Sequence, residues 1–71
     1  MALGKFRPGD RVRFRGKLGA DGRVIFANEE GPDEIVATIA GDVMGLCWIL
    51  QYDDGYPVGI PFQDFQLEAM E

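Results

Sequence analysis

The residue types that carry most enzyme chemistry are scarce in this sequence. It contains no histidine and no serine, which excludes an imidazole base, a Ser-His or Cys-His relay and a histidine metal ligand. The single cysteine, Cys47, lies in the apolar run GLCWIL, where a thiol ordinarily behaves as a small buried hydrophobe. The carboxylate pairs Glu29-Glu30 and Asp53-Asp54 fall at predicted turns, where solvation is their ordinary role. We therefore expect no catalytic residue, no metal site and no cofactor.

Charge is distributed very unevenly along the chain. All seven Lys and Arg residues lie within positions 1–27 beside only two carboxylates, whereas the remaining positions carry ten carboxylates and no base. Arg11, Arg13, Arg15 and Lys17 occupy every second position, so they would share one face of a strand. Two interpretations stay open: a surface that binds nucleic acid or protein, or a row that pairs with acidic residues on neighbouring strands.

Short strands would position these side chains. In GDRVRFRG, Val12 and Phe14 alternate with the arginines, and this period of two predicts a strand with the apolar pair facing inward. A glycine-rich turn then leads to a second strand, in which we expect Val24 and Phe26 to face inward and Ile25 to face outward.

The segment from residue 33 to residue 44 is ambiguous. A short helix is possible because Pro32 suits a first helical position and apolar residues repeat every four positions from Ile35. A hairpin is also possible, since the segment is rich in β-branched residues and Gly41-Asp42 is a two-residue turn signal. We favour the hairpin, and in either form the segment is interpreted as an insertion.

The C-terminal part of the chain predicts a hairpin, a tight turn at QDF and a last short strand at QLEAM. In WILQYDDGYPVGIPF, Asp54-Gly55 is a turn between two runs of alternating apolar residues. Pro57 and Pro61 cannot donate to a ladder, which predicts an edge strand. The whole pattern predicts an all-β fold, a small antiparallel barrel of about five strands in a single domain spanning residues 1–71.

Part of this barrel would be apolar on its outer face. Residues 43–50 (VMGLCWIL) are apolar at both alternating positions, which a small closed barrel cannot bury alone. Met44, Leu46 and Ile49, with the outward Ile25, are therefore candidate interface residues. Because a chain of 71 residues also buries only a modest share of its unfolded surface, we expect a homo-oligomer or a protein partner.

Two stretches resemble known barrel modules. GDRVRFRGKLGADGRV resembles the opening of KOW modules, in which Gly-Asp starts a strand and spaced glycines lead into the next. WILQYDDGYPVGIPFQDFQLE is similar to the closing half of Tudor-like and other SH3-type barrels. Together the two stretches cover about half the chain, and the resemblance implies an SH3-like fold that hosts many unrelated functions.

The KOW resemblance implies binding to RNA or to transcription and ribosome proteins. Arg11, Arg13, Arg15 and Lys17 would then form a strip facing phosphate groups. A net charge of −5 and a pI near 4.5 oppose the long-range attraction that such binding needs.

The Tudor resemblance implies recognition of a cationic side chain by an aromatic cage. Trp48, Tyr52 and Tyr56, with Asp53 or Asp54, have the appropriate chemistry, because ring faces attract a cation and a carboxylate can pair with it. The alternative is that Trp48 and Tyr52 belong to the core and that Asp54 is only a turn residue.

A third resemblance tests for an enzyme, because type II dihydrofolate reductases are short barrels that build one pore from four subunits. Their Val-Gln-Ile-Tyr strand would fall at Val58, Gly59, Ile60 and Pro61, where the Gln and the Tyr are missing. An oligomeric pore enzyme of this kind is therefore only a remote alternative.

The sequence predicts a non-enzymatic interaction module that binds protein partners or itself through an apolar barrel face and segregated charge. The alternative is an RNA- or DNA-binding module that uses the arginine strip. No apolar stretch approaches the ~18 residues of a membrane span, and the N-terminal residues include no apolar signal segment. These features favour a soluble, cytoplasmic protein that does not enter membranes.

Overall fold

The computed structural model of the chain describes residues 6–70, so Lys5 and Glu71 of the two charged regions lie outside the described part. Most of this part is extended, and its strands are β1 (Arg11–Leu18), β2 (Val24–Ala27), β3 (Asp33–Val43), β4 (Cys47–Gln51), β5 (Pro57–Phe62) and β6 (Glu68–Ala69). The strands pair antiparallel in the order β2-β1-β3-β4-β5, with β6 joined to β1. They form a nearly closed barrel compatible with an SH3-like fold, which confirms the all-β prediction.

Strand β1 follows the predicted alternation. Val12 and Phe14 are buried, while the arginines that alternate with them, Arg11, Arg13 and Arg15, are exposed. The strand pairs with β3 from Arg11 to Gly16, with β6 at Val12 and Arg13, and with β2 from Gly16 onward. It therefore joins three other strands and presents its arginines on the outside of the barrel.

The segment around residues 33–44 belongs to a hairpin, as favoured, and not to a helix. It is not an insertion, and the turn predicted at Gly41-Asp42 was wrong. It forms β3, which lies between β1 and β4 in the sheet. Its pairing with β4 shifts between Ile39 and Gly41, so a bulge accommodates the glycine inside the strand. The chain reverses three residues later, where Met44 and Gly45 have φ of 53° and 70° and the Asp42 carboxylate accepts the Gly45 N–H.

The second hairpin confirms the prediction. Strands β4 and β5 pair antiparallel, and the turn between them closes with a 2.8 Å bond from the Tyr52 N–H to the Tyr56 carbonyl oxygen. Gly55 takes a φ of 93°, which glycine adopts without strain. Among the described residues β5 pairs only with β4, as expected for a strand that contains Pro57 and Pro61. A 3-10 turn at Asp64–Gln66 and the short β6 follow, also as predicted.

Strand β2 departs from the predicted alternation. Lys17 pairs with Phe26 and Leu18 with Val24, so Ile25 is the extra residue of a bulge. Because the bulge shifts the side-chain register, Phe26 shares the outer face with Lys17 and is 43% exposed, contrary to the inward orientation predicted for it. Val24 packs against the core and Ile25 is exposed, as predicted.

One hydrophobic core fills the barrel. The rings of Phe14 and Phe62 lie 4.5 Å apart between centroids, and the Trp48 ring packs edge-on against Phe6. No helix among residues 6–70 is long and apolar enough to cross a membrane. The buried core residues are Phe6, Val12, Phe14, Ile35, Ala37, Ile39, Trp48, Leu50, Val58, Phe62 and Leu67.

Candidate interaction surfaces

The charged strip, defined as Arg11, Arg13, Arg15 and Lys17, lies along the outer face of β1. Two of its members form ion pairs with carboxylates. Arg11 Nη1 contacts the Asp53 carboxylate and also donates to Thr38 Oγ1 at 3.0 Å. The acid comes from the β4–β5 turn, so the two charged regions of the sequence meet in the fold.

Arg13 lies between two acidic side chains. Its Nε donates to Glu68 Oε1 at 2.8 Å, and its Nη1 lies 3.5 Å from Glu34 Oε2. These carboxylates belong to β6 and β3, the two strands that flank Arg13 in the sheet. Cross-strand pairing of opposite charges is thus the observed arrangement at the centre of the strip.

The other half of the strip lacks acidic partners. Arg15 donates from Nε to the Gly31 carbonyl oxygen at 3.0 Å and from Nη2 to the Pro32 carbonyl oxygen at 3.1 Å. The Lys17 side chain makes no hydrogen bond or ion pair with any described residue. The positive charge of the strip is therefore neutralised within the chain at Arg11 and Arg13 but not at Arg15 and Lys17.

Many carboxylates that form no ion pair have a structural role. Their side-chain oxygens accept hydrogen bonds from backbone N–H groups at turns and strand ends, where those groups lack ladder partners. These hydrogen bonds give many of the excess carboxylates a role that requires no ligand. The aspartates that do this are Asp10, Asp21, Asp33 and Asp42.

The predicted aromatic cage is assembled in part, and a residue of the same chain fills it. The Arg23 guanidinium carbon lies 4.7 Å from the ring centroid of Tyr52 and 4.7 Å from that of Tyr56. Its Nη2 also forms a 2.9 Å ion pair with Asp54 Oδ2. We call Tyr52, Tyr56 and Asp54 the cation site. Its chemistry is that of two ring faces and one carboxylate around a cation.

Trp48, which the sequence placed in this cage, lies elsewhere. Its side chain is buried, and its Nε1 donates to Asp64 Oδ1 at 2.6 Å. The alternative that Trp48 belongs to the core is therefore the observed one. Arg23 was missed because it follows the turn between β1 and β2, about thirty positions from the residues it contacts. A clue available in the sequence was that it is the last cation before the acidic region.

Hydrogen bonding holds Asp54 ionised. The pKa of Asp54 is lowered, chiefly because its carboxylate accepts the Tyr56 N–H at 3.0 Å and then because it accepts a hydrogen bond from Arg23. The hydrogen bond to Asp54 is in turn the largest cause of the raised pKa of Arg23. Both groups therefore keep their charges throughout the neutral range.

The apolar outer face lies on the β3–β4 hairpin. Met44 is 88% exposed and Leu46 is 60% exposed, both in the turn, while Ile49 projects from β4 and is 38% exposed. Val43, at the end of β3, joins them with 41% exposure. We call Val43, Met44, Leu46 and Ile49 the hairpin surface. Ile25 is 59% exposed but lies on β2, which belongs to a different hairpin.

Two further exposed features were not predicted. Phe65, in the 3-10 turn, is 72% exposed. It lines a groove of about 560 Å³ whose other walls include Arg13, Arg15, Glu34 and Glu68. The groove carries both signs of charge, and Arg13 is already paired with the two glutamates, so its chemistry selects no particular ligand.

Residues 6–70 offer no group of three His, Cys, Asp or Glu side chains that could hold a metal ion. Cys47 is half-buried in β4 and forms no disulfide. The comparisons with known proteins found no matching protein family, no similar curated protein and no similar solved structure.

Proposed function

We propose that this chain is a non-enzymatic protein-interaction module that self-associates through the hairpin surface. The observation that supports the proposal is the exposure of four neighbouring apolar side chains on one hairpin, with Met44 exposed by 88%. Exposed apolar groups that occur singly are ordinary, whereas a group of them marks an association site. We also propose that the module is of the KOW-like or Tudor-like kind that its sequence resembles.

The energetic reason lies in the transfer of these side chains out of water. Complete burial of a Val, Leu, Ile or Met side chain contributes about 1.5–3 kcal/mol. The hairpin surface sits on the outside of the barrel, so folding of a single chain leaves it in contact with water. A two-fold contact would bury the same residues on both copies, and such isologous contacts are the commonest in homo-oligomers.

Nucleic-acid binding by the charged strip has weaker support. Arg11 and Arg13 are bound to carboxylates of the same chain, and a phosphate would have to displace Asp53, Glu34 or Glu68. Within the charged strip, Arg15 and Lys17 remain for phosphate contacts. A pore enzyme has weaker support still, because Gly59 and Pro61 stand where the resemblance requires Gln and Tyr.

Light scattering over a range of micromolar concentrations tests the proposal. We expect the wild-type chain to have the mass of a dimer or larger species that dissociates on dilution. The double variant Met44→Lys/Leu46→Lys should be monomeric, because two desolvated ammonium groups would oppose the contact. Phe65→Lys is the matched control, since it changes an equally exposed apolar residue outside the hairpin. A wild-type chain that stays monomeric at the highest concentration contradicts the proposal.

A further inference from the structure

The cation site is held in place by contacts that do not involve Arg23. Tyr52 Oη accepts the Val24 N–H at 2.9 Å, and the Tyr52 ring packs against the hydrophobic core. Asp54 is oriented by the Tyr56 N–H, which donates to its Oδ1 at 3.0 Å. The tight turn between β4 and β5 fixes the spacing of the two tyrosines, since Tyr52 N–H bonds to the Tyr56 carbonyl oxygen. The Tyr52 ring and the Asp54 carboxylate are thus positioned without Arg23, and the turn places Tyr56 beside them.

Arg23, by contrast, makes few side-chain contacts. Its side chain is 36% exposed, and among residues 6–70 it contacts Asp54 through the ion pair and the rings of the two tyrosines. It directly follows the turn at Gly22 and is not itself a core residue. Rotation of this one side chain would empty the site without altering the barrel.

We propose that Tyr52, Tyr56 and Asp54 form a binding site for the guanidinium group of an external ligand, and that Arg23 is a built-in competitor that keeps the site closed. The occupant seen here defines the ligand class. A guanidinium is planar and weakly hydrated, so it can face two aromatic rings while its N–H groups donate to a carboxylate. The ligand is therefore a guanidinium-bearing side chain, such as an arginine of a partner protein.

This site is separate from the hairpin surface. It lies on the turn between β4 and β5, whereas the hairpin surface lies on the turn between β3 and β4. The inference goes beyond self-association and does not depend on it. A chain that is monomeric in solution could still bind a guanidinium here.

An internal ligand suppresses binding of a free one. A side chain tethered a few bonds from its site has an effective concentration of about millimolar or more. A free guanidinium that binds weakly must exceed this concentration before it displaces Arg23. Removal of Arg23 should therefore reveal binding that the wild-type chain conceals.

The experiment is a titration of N-acetyl-arginine amide into the Arg23→Gln variant, followed through the Tyr52 and Tyr56 ring resonances by NMR. Gln keeps part of the side chain and removes the cation. We expect a saturable shift of both rings, with half-saturation at least about tenfold lower than in the wild-type chain. The N-acetyl-citrulline amide, a neutral analogue of nearly the same shape, should give no saturable shift.

Two further variants give the matched controls. Arg13→Gln also removes an arginine that is paired with carboxylates, but no aromatic ring contacts Arg13, so we expect no new binding. Arg23→Gln/Asp54→Asn should lose the binding gained by the single variant. Circular dichroism establishes that each variant is folded. A folded Arg23→Gln chain whose tyrosine resonances do not respond, or respond equally to the citrulline compound, overturns the proposal.

Should Arg23→Gln fail to fold, the wild-type chain still provides the test. Concentrated N-acetyl-arginine amide should then displace Arg23 and shift the Arg23 Nε–H resonance, whereas the citrulline compound should not. Absence of that difference overturns the proposal as well.

Discussion

The charged strip on β1 and the hairpin surface on β3–β4 both face outward, but they differ in what the chain provides for them. Arg11 and Arg13 contact carboxylates from three other elements of the same chain. The hairpin surface has no such cover, and Met44 remains 88% exposed. A surface whose chemistry is satisfied internally has a structural explanation, whereas one that is left unsatisfied calls for a partner.

The difference has a simple physical origin. Long charged side chains on neighbouring strands can reach one another across the outer face of a sheet, so a single layer is sufficient to pair them. Apolar side chains on that face need a second layer to exclude water. The chain has no α-helix among residues 6–70 to supply that layer. Under the proposed function, a second copy of the chain supplies that layer for the hairpin surface.

The largest effect that we expect comes from the loop anchoring the charged strip. The Gly31 carbonyl oxygen accepts a bond from Arg15, and a Cβ at Gly31 would lie 2.4 Å from the Gly16 carbonyl oxygen. Because backbone would have to move, Gly31→Ala should lower the free energy of unfolding by about 1–3 kcal/mol. Gly59→Ala is the control, since open space surrounds that position. Urea titration measures both, and equal stabilities would show that the loop is not tightly packed.

Charge reversal in the strip separates pairing from function. Arg13→Glu replaces two attractions with repulsion from Glu34 and Glu68, all of them largely exposed and screened by solvent. We expect a loss of about 1 kcal/mol in the free energy of unfolding at low salt, and less at high salt. Lys17→Glu should change stability by less, because Lys17 forms no ion pair among residues 6–70. If the Lys17 variant loses as much as the Arg13 variant, the observed ion pairs do not stabilise the fold.

The cation site predicts a small loss of stability in acid. Because the folded pKa of Asp54 is lowered, its contribution to stability is present above the ordinary pKa of 3.8 and is lost as pH falls through the folded pKa. Asp54→Asn should therefore lose less stability than the wild-type chain between neutral and acidic pH. Identical curves for the Asp54→Asn and wild-type chains would contradict the prediction.

The smallest effect concerns nucleic acid. With Arg11 and Arg13 neutralised, we expect labelled RNA and DNA to bind weakly at low salt and not measurably at moderate salt. Fluorescence anisotropy measures this directly. Strong binding that falls steeply with salt and is lost in Arg15→Glu would make the strip a functional surface and reverse the comparison with the hairpin.

The sequence was sufficient to predict the strands and turns that are defined by alternating apolar residues and by characteristic turn residues. The burial of Val12 and Phe14, the turn at Asp54-Gly55 and the edge position of β5 were all predicted. The errors arose at bulges. A bulge depends on how two strands pair, so the sequence of one strand did not reveal that Phe26 faces outward or that Gly41 lies within β3.

The cation site was predicted only in part for a similar reason. Tyr52, Asp54 and Tyr56 belong to one turn, so their proximity follows from local sequence. Arg23 approaches from a distant turn, and Trp48 is drawn into the core beside Asp64, and both outcomes depend on the closure of the barrel. Contacts between remote segments of the chain require the topology, which the sequence pattern did not specify.

Oxidation of Met44 tests the coverage of the hairpin surface most directly. In the isolated chain Met44 is 88% exposed and Met70 is 41% exposed, so dilute peroxide should oxidise Met44 first. We predict the reverse order at high protein concentration, where association covers Met44, and a return to rapid oxidation of Met44 on dilution. Rapid oxidation of Met44 at every concentration would contradict the account.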